Sequence, residues 1–120
     1  MANIFIIHGS EGSPDENWIP WLKSELEKIG HKVFVPAFPT PENQTLDHWM
    51  KVWGEYEGFL DENSIVVGHS LGVLFLLNVL ERSRVKAAFF VAGFGKLPGN
   101  RFDEGMRTFA RDFDFTKIRA

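Results

Sequence analysis

The chain has 120 residues, of which 44% are hydrophobic and 24% are charged, so it is long and apolar enough for one domain with a modest core. Its net charge of −3 argues against a protein that binds nucleic acid through phosphate contacts, and the absence of cysteine excludes disulfides and thiolate metal sites. No stretch approaches the ~20 apolar residues of a membrane span, and we find no secretory signal. We therefore expect a single cytoplasmic domain over residues 1–120 that contacts neither membrane nor nucleic acid.

Apolar patterning predicts two strands and two helices in the first half of the chain. Residues 4–7 are all apolar, which is typical of a buried parallel strand, and this strand ends at His8. A helix capped by Asp15 should follow and end at Gly30. Its expected apolar face consists of Trp18, Leu22, Leu26 and Ile29. A second strand is predicted over 32–35 and a second helix over 46–60, weakened by two glycines.

The second half continues the alternation of strands and helices. A third strand is predicted over 64–67, and the helix that follows to about residue 82 is apolar nearly all round, so we expect it to be buried. A fourth strand is predicted over 85–92, then a glycine-rich loop over 93–105 and a short helix over 106–113. This order predicts a three-layer α/β/α domain with a parallel sheet and right-handed crossovers.

One motif carries chemistry. The third strand runs directly into Gly68-His69-Ser70-Leu71-Gly72 and then into a helix, which is the pattern of a nucleophile elbow. In such a turn the Ser70 hydroxyl projects above the sheet at a helix N-terminus, where backbone N–H groups favour developing negative charge. The N–H of Leu71 would be one oxyanion donor. The alternative is a plain glycine-rich turn in which Ser70 only caps the helix.

The end of the first strand should lie at the same edge of the sheet as Ser70, because parallel strands end together. We expect the loop that begins at Gly9 to supply a second oxyanion N–H, from Gly9 or Ser10; the alternative is a connecting loop without that role. Two histidines are auxiliary candidates. His69 should point away from its neighbour Ser70, and His8 should orient the loop, with a role as general base as the alternative.

Two segments of the chain carry a family resemblance. HGSEGSPDENWIPWLKSELEKIGHKVFVPAFPTPENQTLDHW and IVVGHSLG resemble the small serine hydrolases of the retinoblastoma-binding protein 9 and YdeN type. The resemblance runs from about residue 4 to residue 120 and corresponds to roughly the first two-thirds of a family member. It implies an α/β-hydrolase fold with strand order 2-1-3-4, truncated here, and places the family's nucleophile at Ser70. It also implies that the triad Asp and His fall beyond residue 120.

These observations together predict a serine hydrolase with esterase-like activity on a small-molecule ester or amide, without cofactor or metal. We expect little or no turnover from this chain alone. The alternatives are a non-catalytic binding module on the same scaffold and a split enzyme completed by a second polypeptide. The apolar strand 85–92 would be an exposed edge, so we expect it to pair with a second copy, another chain or residues absent from this sequence.

Overall fold

Seven regular elements alternate in the part of the chain that the structure, a computed structural model, describes: residues 2–10, 12–16, 18–40, 42–91, 108–109 and 113. They are β1 (Asn3–Ile7), α1 (Ile19–Lys28), β2 (Lys32–Phe34), α2 (Leu46–Trp53), β3 (Ile65–His69), α3 (Leu71–Leu80) and β4 (Ala87–Val91), with a short 3-10 turn at Glu57–Phe59. The predicted loop 93–105 and most of the predicted helix 106–113 lie outside the described residues.

The four strands form one parallel sheet in the order β2-β1-β3-β4, which confirms the predicted strand order. In the register of the central pair, Ile4 lies opposite Ile65 and Ile7 lies opposite Gly68. The carboxyl ends of β1 and β3 therefore lie side by side. The loops that leave these two strands begin at the same edge of the sheet, which brings His8 and Gly9 next to the turn that contains Ser70.

Alternating side chains of the strands build a core on each face of the sheet. Ile4 and Ile6 pack with Ile19 of α1 on one face. Phe5 and Ile7 pack on the other face with residues of α2 and α3. Every residue of α3 is buried, as its continuous apolar sequence predicts. The result is the three-layer arrangement expected from the sequence.

The structure corrects the predicted ends of two helices. The residue at the N-cap of α1 is Trp18 and makes no side-chain capping bond, so the predicted cap at Asp15 is wrong. Pro20 occupies the first turn, where its missing N–H costs no hydrogen bond. At the other end Ile29 is 62% exposed and lies outside the core. Helix α2 stops at Gly54, shortly before the 3-10 turn, instead of running on to residue 60.

In the sheet that the described residues form, β4 lies at the edge, next to β3 alone. Its last three residues have large exposed apolar side chains: Phe89 is 57%, Phe90 44% and Val91 39% exposed. Such an edge can template pairing with another strand. Among the helices that the structure describes, none has the length and apolar character needed to cross a membrane.

Candidate active site at the carboxyl edge of the sheet

Ser70 joins β3 to α3 in a backbone conformation that non-glycine residues rarely adopt. Its φ is 55° and its ψ is −119°, a strain that costs about 1–3 kcal/mol and recurs at functional sites. The backbone N–H donates to the Val91 carbonyl at 3.1 Å, and the Ser70 carbonyl accepts from Val73 N at 3.0 Å. The half-buried side chain makes no capping hydrogen bond, which argues against the alternative that Ser70 serves as a helix cap.

Gly72 allows the start of α3 to lie directly against the end of β1. A Cβ atom at this position would lie 2.5 Å from the Ile7 carbonyl oxygen and 2.9 Å from that of His8. Both neighbours are backbone atoms at the end of β1 and directly after it, so they can move away only if the backbone shifts. The absence of a side chain at Gly72 therefore sets how closely Ser70 approaches the loop that leaves β1.

Gly9 lies in contact with the candidate nucleophile. A Cβ atom on Gly9 would lie 2.8 Å from the Ser70 Cβ and 3.4 Å from the Ser70 Oγ. It would also lie 3.0 Å from the His69 carbonyl oxygen. The structure thus brings the predicted site residues Gly9 and Ser70 together, and only a residue without a side chain fits between the two loops.

The backbone donors at this edge that have no acceptor among the described residues include the N–H groups of Leu71, Gly9 and Ser10. Leu71 is the first residue of α3, so its N–H belongs to the positive end of the helix dipole. Ser10 follows Gly9, which contacts Ser70. Within the described residues, the backbone hydrogen bonds of the fold therefore do not use these N–H groups.

His8 is buried, with both ring nitrogens engaged. Nε2 accepts the Phe38 N–H at 2.9 Å, and Nδ1 lies 2.8 Å from the Gly9 carbonyl oxygen. Since Nε2 must be an acceptor, the proton sits on Nδ1, which donates to that carbonyl. Burial lowers the pKa of His8 below the ordinary value of 6.5 and outweighs the opposing effect of the bond to Gly9. These contacts favour the orienting role over the role of general base.

The state of His8 predicts how stability depends on pH. Above pH 6.5 the imidazole is neutral both in the fold and in the unfolded chain, so its full contribution is present. As pH falls through 6.5, His8 binds a proton in the unfolded chain but not in the folded chain. The free energy of unfolding therefore falls until the pH reaches the lowered pKa of His8 in the folded chain. The free energy of unfolding can change with pH by at most about 1.4 kcal/mol per pH unit through this one group.

Urea unfolding between about pH 7.5 and 5.5 measures this effect. The expected result is a loss of stability toward acid that is smaller in His8→Gln, which cannot take up the proton. The same pH dependence in both proteins would contradict the assignment of His8 as a buried neutral histidine.

The structure describes all four histidines of the chain, and none of the other three is positioned as a base for Ser70. His31 precedes β2, at the opposite edge of the sheet, where its Nδ1 accepts the Ala2 N–H at 3.2 Å. His48 is exposed on α2. The His69 ring packs edge-on against Trp18 with 5.6 Å between ring centroids. Within the described residues, no three His, Asp or Glu side chains are grouped so as to hold a metal ion.

Sequence reasoning missed one polar residue at this site, Gln44. Its side chain is 3% exposed, and its Oε1 accepts hydrogen bonds from the hydroxyls of Ser10 and Thr40. Gln44 lies 34 residues from Ser10 in the chain, so no local pattern connects the two. A buried glutamine in an otherwise polar loop has no motif that would single it out.

The fold and this edge together define a class of protein. A parallel sheet of order β2-β1-β3-β4, in which β3 leads through a strained serine into a buried helix, is the arrangement of an α/β-hydrolase-type protein. The family model described as serine hydrolase matches residues 4–113. The chain belongs to the serine hydrolase family.

Individual relatives agree with this assignment. The chain is 34% identical over 97 residues to YdeN of Bacillus subtilis (strain 168), a match that covers 78% of this chain and 51% of YdeN. It is 26% identical over 118 residues to serine hydrolase RBBP9 of Rattus norvegicus, covering 96% of this chain and 63% of RBBP9. The crystal structure of the B. subtilis ydeN gene product superimposes with a TM-score of 0.78 at 30% identity, over 98% of this chain and 65% of that one. The chain thus spans about half to two-thirds of the length of these relatives.

Proposed function

We propose that Ser70 is the nucleophile of a serine hydrolase that acts on a small acyl ester or amide, and that the turn from β3 to α3 is its nucleophile elbow. The observation that carries this proposal is the left-handed backbone of Ser70 between strand and helix. Its hydroxyl makes no hydrogen bond to any described residue, so it is free to meet a substrate. Membership of the serine hydrolase family supports the same reaction class.

The proposed reaction is acyl transfer through Ser70. The Oγ attacks the carbonyl carbon of the substrate while its proton passes to a general base, and a tetrahedral oxyanion forms. The N–H groups of Leu71 and of Gly9 or Ser10 stabilise this oxyanion, a type of contact that contributes about 2.7–4 kcal/mol per donor in known enzymes. Collapse expels the protonated alcohol or amine and leaves an acyl-Ser70 ester, which water then hydrolyses.

The general base is proposed to come from outside this chain, since each of its four histidines is engaged elsewhere or placed away from the Ser70 hydroxyl. The hydroxyl is then not activated, and loss of a triad member removes most of the rate, leaving about 10³–10⁴ over water from the oxyanion donors and binding. We therefore expect little turnover of an activated ester by the chain alone. Efficient hydrolysis of p-nitrophenyl acetate that disappears in Ser70→Ala would contradict this part of the proposal.

A second candidate function is a non-catalytic binding module on the same scaffold. It is favoured by the exposed apolar edge of β4 together with the absence of a positioned base among the described residues. The two functions differ in one property, the reactivity of Ser70. A split enzyme completed by a second polypeptide would combine them, because the chain would then gain Ser70 reactivity only after mixing with its partner.

The edge of β4 also leads to a prediction about association. We expect the chain to self-associate through this strand, so its weight-average sedimentation coefficient should rise with protein concentration. Phe90→Lys should reduce that rise, because a charged side chain on an edge strand opposes pairing. The matched control is Trp21→Lys, a change at a 64% exposed aromatic on α1, which should have little effect. A wild-type chain that stays monomeric at all concentrations would contradict self-association.

A further inference from the structure

The buried carboxamide of Gln44 joins two loops at the edge that carries Ser70. Its Oε1 accepts the hydroxyl of Ser10 at 2.8 Å and also accepts the hydroxyl of Thr40. Only 3% of Gln44 is exposed. A polar group buried this deeply is costly unless it is hydrogen-bonded, and removal of its partners would leave it unsatisfied. The cost of leaving the buried Gln44 oxygen without a donor therefore stabilises its hydrogen bonds to Ser10 and Thr40.

Gln44 is itself held in place by the start of α2. The preceding residue, Asn43, has a left-handed φ of 58°, and its carbonyl accepts the Thr45 N–H at 2.9 Å. Thr45 is the N-cap of α2, and its side chain accepts the His48 N–H at 3.3 Å. The backbone on both sides of Gln44 is thus fixed by a tight turn and a capped helix, which limits where the carboxamide can lie.

We propose that Gln44 is a positioning residue: through the Ser10 hydroxyl it holds the Gly9–Ser10 backbone at the distance from Ser70 at which its N–H groups can reach an oxyanion. This inference rests on the proposed function of Ser70. The Ser10 hydroxyl has one proton, and that proton is directed at Gln44. The hydroxyl is therefore a tether, and donation to the oxyanion falls to the backbone.

The same loop has a second anchor on its other side. His8 accepts the Phe38 N–H and donates to the Gly9 carbonyl, as described above. Phe38 acts through the His8 ring on the Gly9 carbonyl, and Gln44 acts on the Ser10 hydroxyl, so the Gly9–Ser10 backbone is held at two points. Loss of the Gln44 contact should loosen the loop on the Ser10 side while the His8 anchor keeps the fold intact.

Two substitutions at Gln44 distinguish the effect of its acceptor oxygen from the effect of its side-chain volume. Gln44→Met keeps the approximate shape and removes the acceptor, whereas Gln44→Glu keeps an acceptor oxygen in either protonation state. We expect amide hydrogen exchange at Gly12, whose N–H donates to the Gly9 carbonyl at 3.1 Å, to become about five- to tenfold faster in Gln44→Met, because loss of the tether loosens this loop by about one net hydrogen bond. Gln44→Glu should stay near the wild-type rate. Ser10→Ala removes the donor with a smaller change in the core and should match Gln44→Met.

Reactivity supplies the second readout. Phosphonylation of Ser70 by a fluorophosphonate should slow by about tenfold in Gln44→Met and in Ser10→Ala, with the half-saturating probe concentration unchanged. Gln44→Glu should restore the rate, a rescue that general loss of packing would not show. The double variant that combines Gln44→Met with Ser10→Ala should react no more slowly than either single variant, because both changes remove the same hydrogen bond.

The possible results are distinguishable. Unchanged exchange at Gly12 in both single variants would overturn the tether, as would faster exchange with unchanged phosphonylation. Ser10→Ala much slower to react than Gln44→Met would also overturn it, because the hydroxyl would then act on the oxyanion directly. If wild-type Ser70 does not react even with added imidazole, the proposed function fails, while amide exchange still decides whether Gln44 orders the loop.

Discussion

Replacement of Gly72 by alanine is expected to destabilise the fold by about 3 kcal/mol. The added Cβ would lie 2.5 Å from the Ile7 carbonyl oxygen, closer than real Cβ atoms approach a backbone oxygen. Relief of this clash requires α3 to move away from β1. Because α3 is buried along its whole length, such a movement would also disturb the packing of the core. For a domain whose total stability is about 5–15 kcal/mol, this is a large fraction.

Urea unfolding with an unchanged m value measures this loss. Gly58→Ala is the matched control, because in the described part of the chain no atom beyond its own turn and chain neighbours lies within 4 Å of a Cβ at Gly58. This substitution should change the stability by less than about 1 kcal/mol in either direction. Equal stability of the Gly72→Ala and Gly58→Ala variants would show that the start of α3 does not pack against β1 as described.

Replacement of Gly9 by alanine is expected to affect reactivity more than stability. The new methyl group would meet the Cβ of Ser70 at 2.8 Å and the His69 carbonyl oxygen at 3.0 Å, so either the nucleophile or the loop must move. A displacement of this size at reacting groups costs about 10²-fold in rate. We therefore expect phosphonylation of Ser70 to slow by about that factor, while the far-ultraviolet circular dichroism spectrum stays that of the wild type.

Gly12→Ala tests whether contact with Ser70 is the cause of that loss. Gly12 belongs to the same loop, but the three atoms nearest to a Cβ there belong to Gly9 and His8, at 3.1 Å or more, whereas the atom nearest to a Cβ on Gly9 belongs to Ser70. Its effect on the phosphonylation rate should be clearly smaller. A loss as large as that of Gly9→Ala would point to general loop disturbance and would contradict the close packing of Gly9 on the nucleophile.

The parallel sheet and its strand order follow from features that are local or that the family resemblance supplies. Apolar runs such as residues 4–7 mark the buried strands, and the continuous apolar sequence of α3 marks a helix buried on all sides. These elements form the largest part of the core, so hydrophobic burial alone makes their positions predictable. The position of Ser70 between β3 and α3 was predictable for the same reason.

Helix ends were harder to predict because several weak signals compete there. Asp15 has good capping chemistry, yet α1 starts after Trp18, where Pro20 favours the first turn and the Trp18 ring packs on His69. In α2 the apolar spacing continues beyond Trp53, but Gly54 ends the helix. In α1, tertiary contacts and Pro20 therefore outweighed the capping preference of Asp15. In α2, Gly54 outweighed the apolar spacing that favoured a longer helix.

The contacts that order the candidate site were not predictable from the sequence. The bond from Phe38 N to His8 joins residues 30 apart, and the bond from Ser10 to Gln44 joins residues 34 apart. Neither pair has a spacing that a helix or strand period would reveal. Both contacts arise because the chain returns to the carboxyl edge of the sheet after β2, which only the folded arrangement shows.

The most direct test of the central claim is the intact mass of the 120-residue chain after treatment with a fluorophosphonate, with and without added imidazole. We predict one adduct, mapped to Ser70 and absent from Ser70→Ala, that forms slowly alone and about tenfold faster when imidazole acts in place of the proposed external base. An adduct that persists in Ser70→Ala, or no adduct in a folded sample under either condition, would contradict the assignment of Ser70 as the nucleophile.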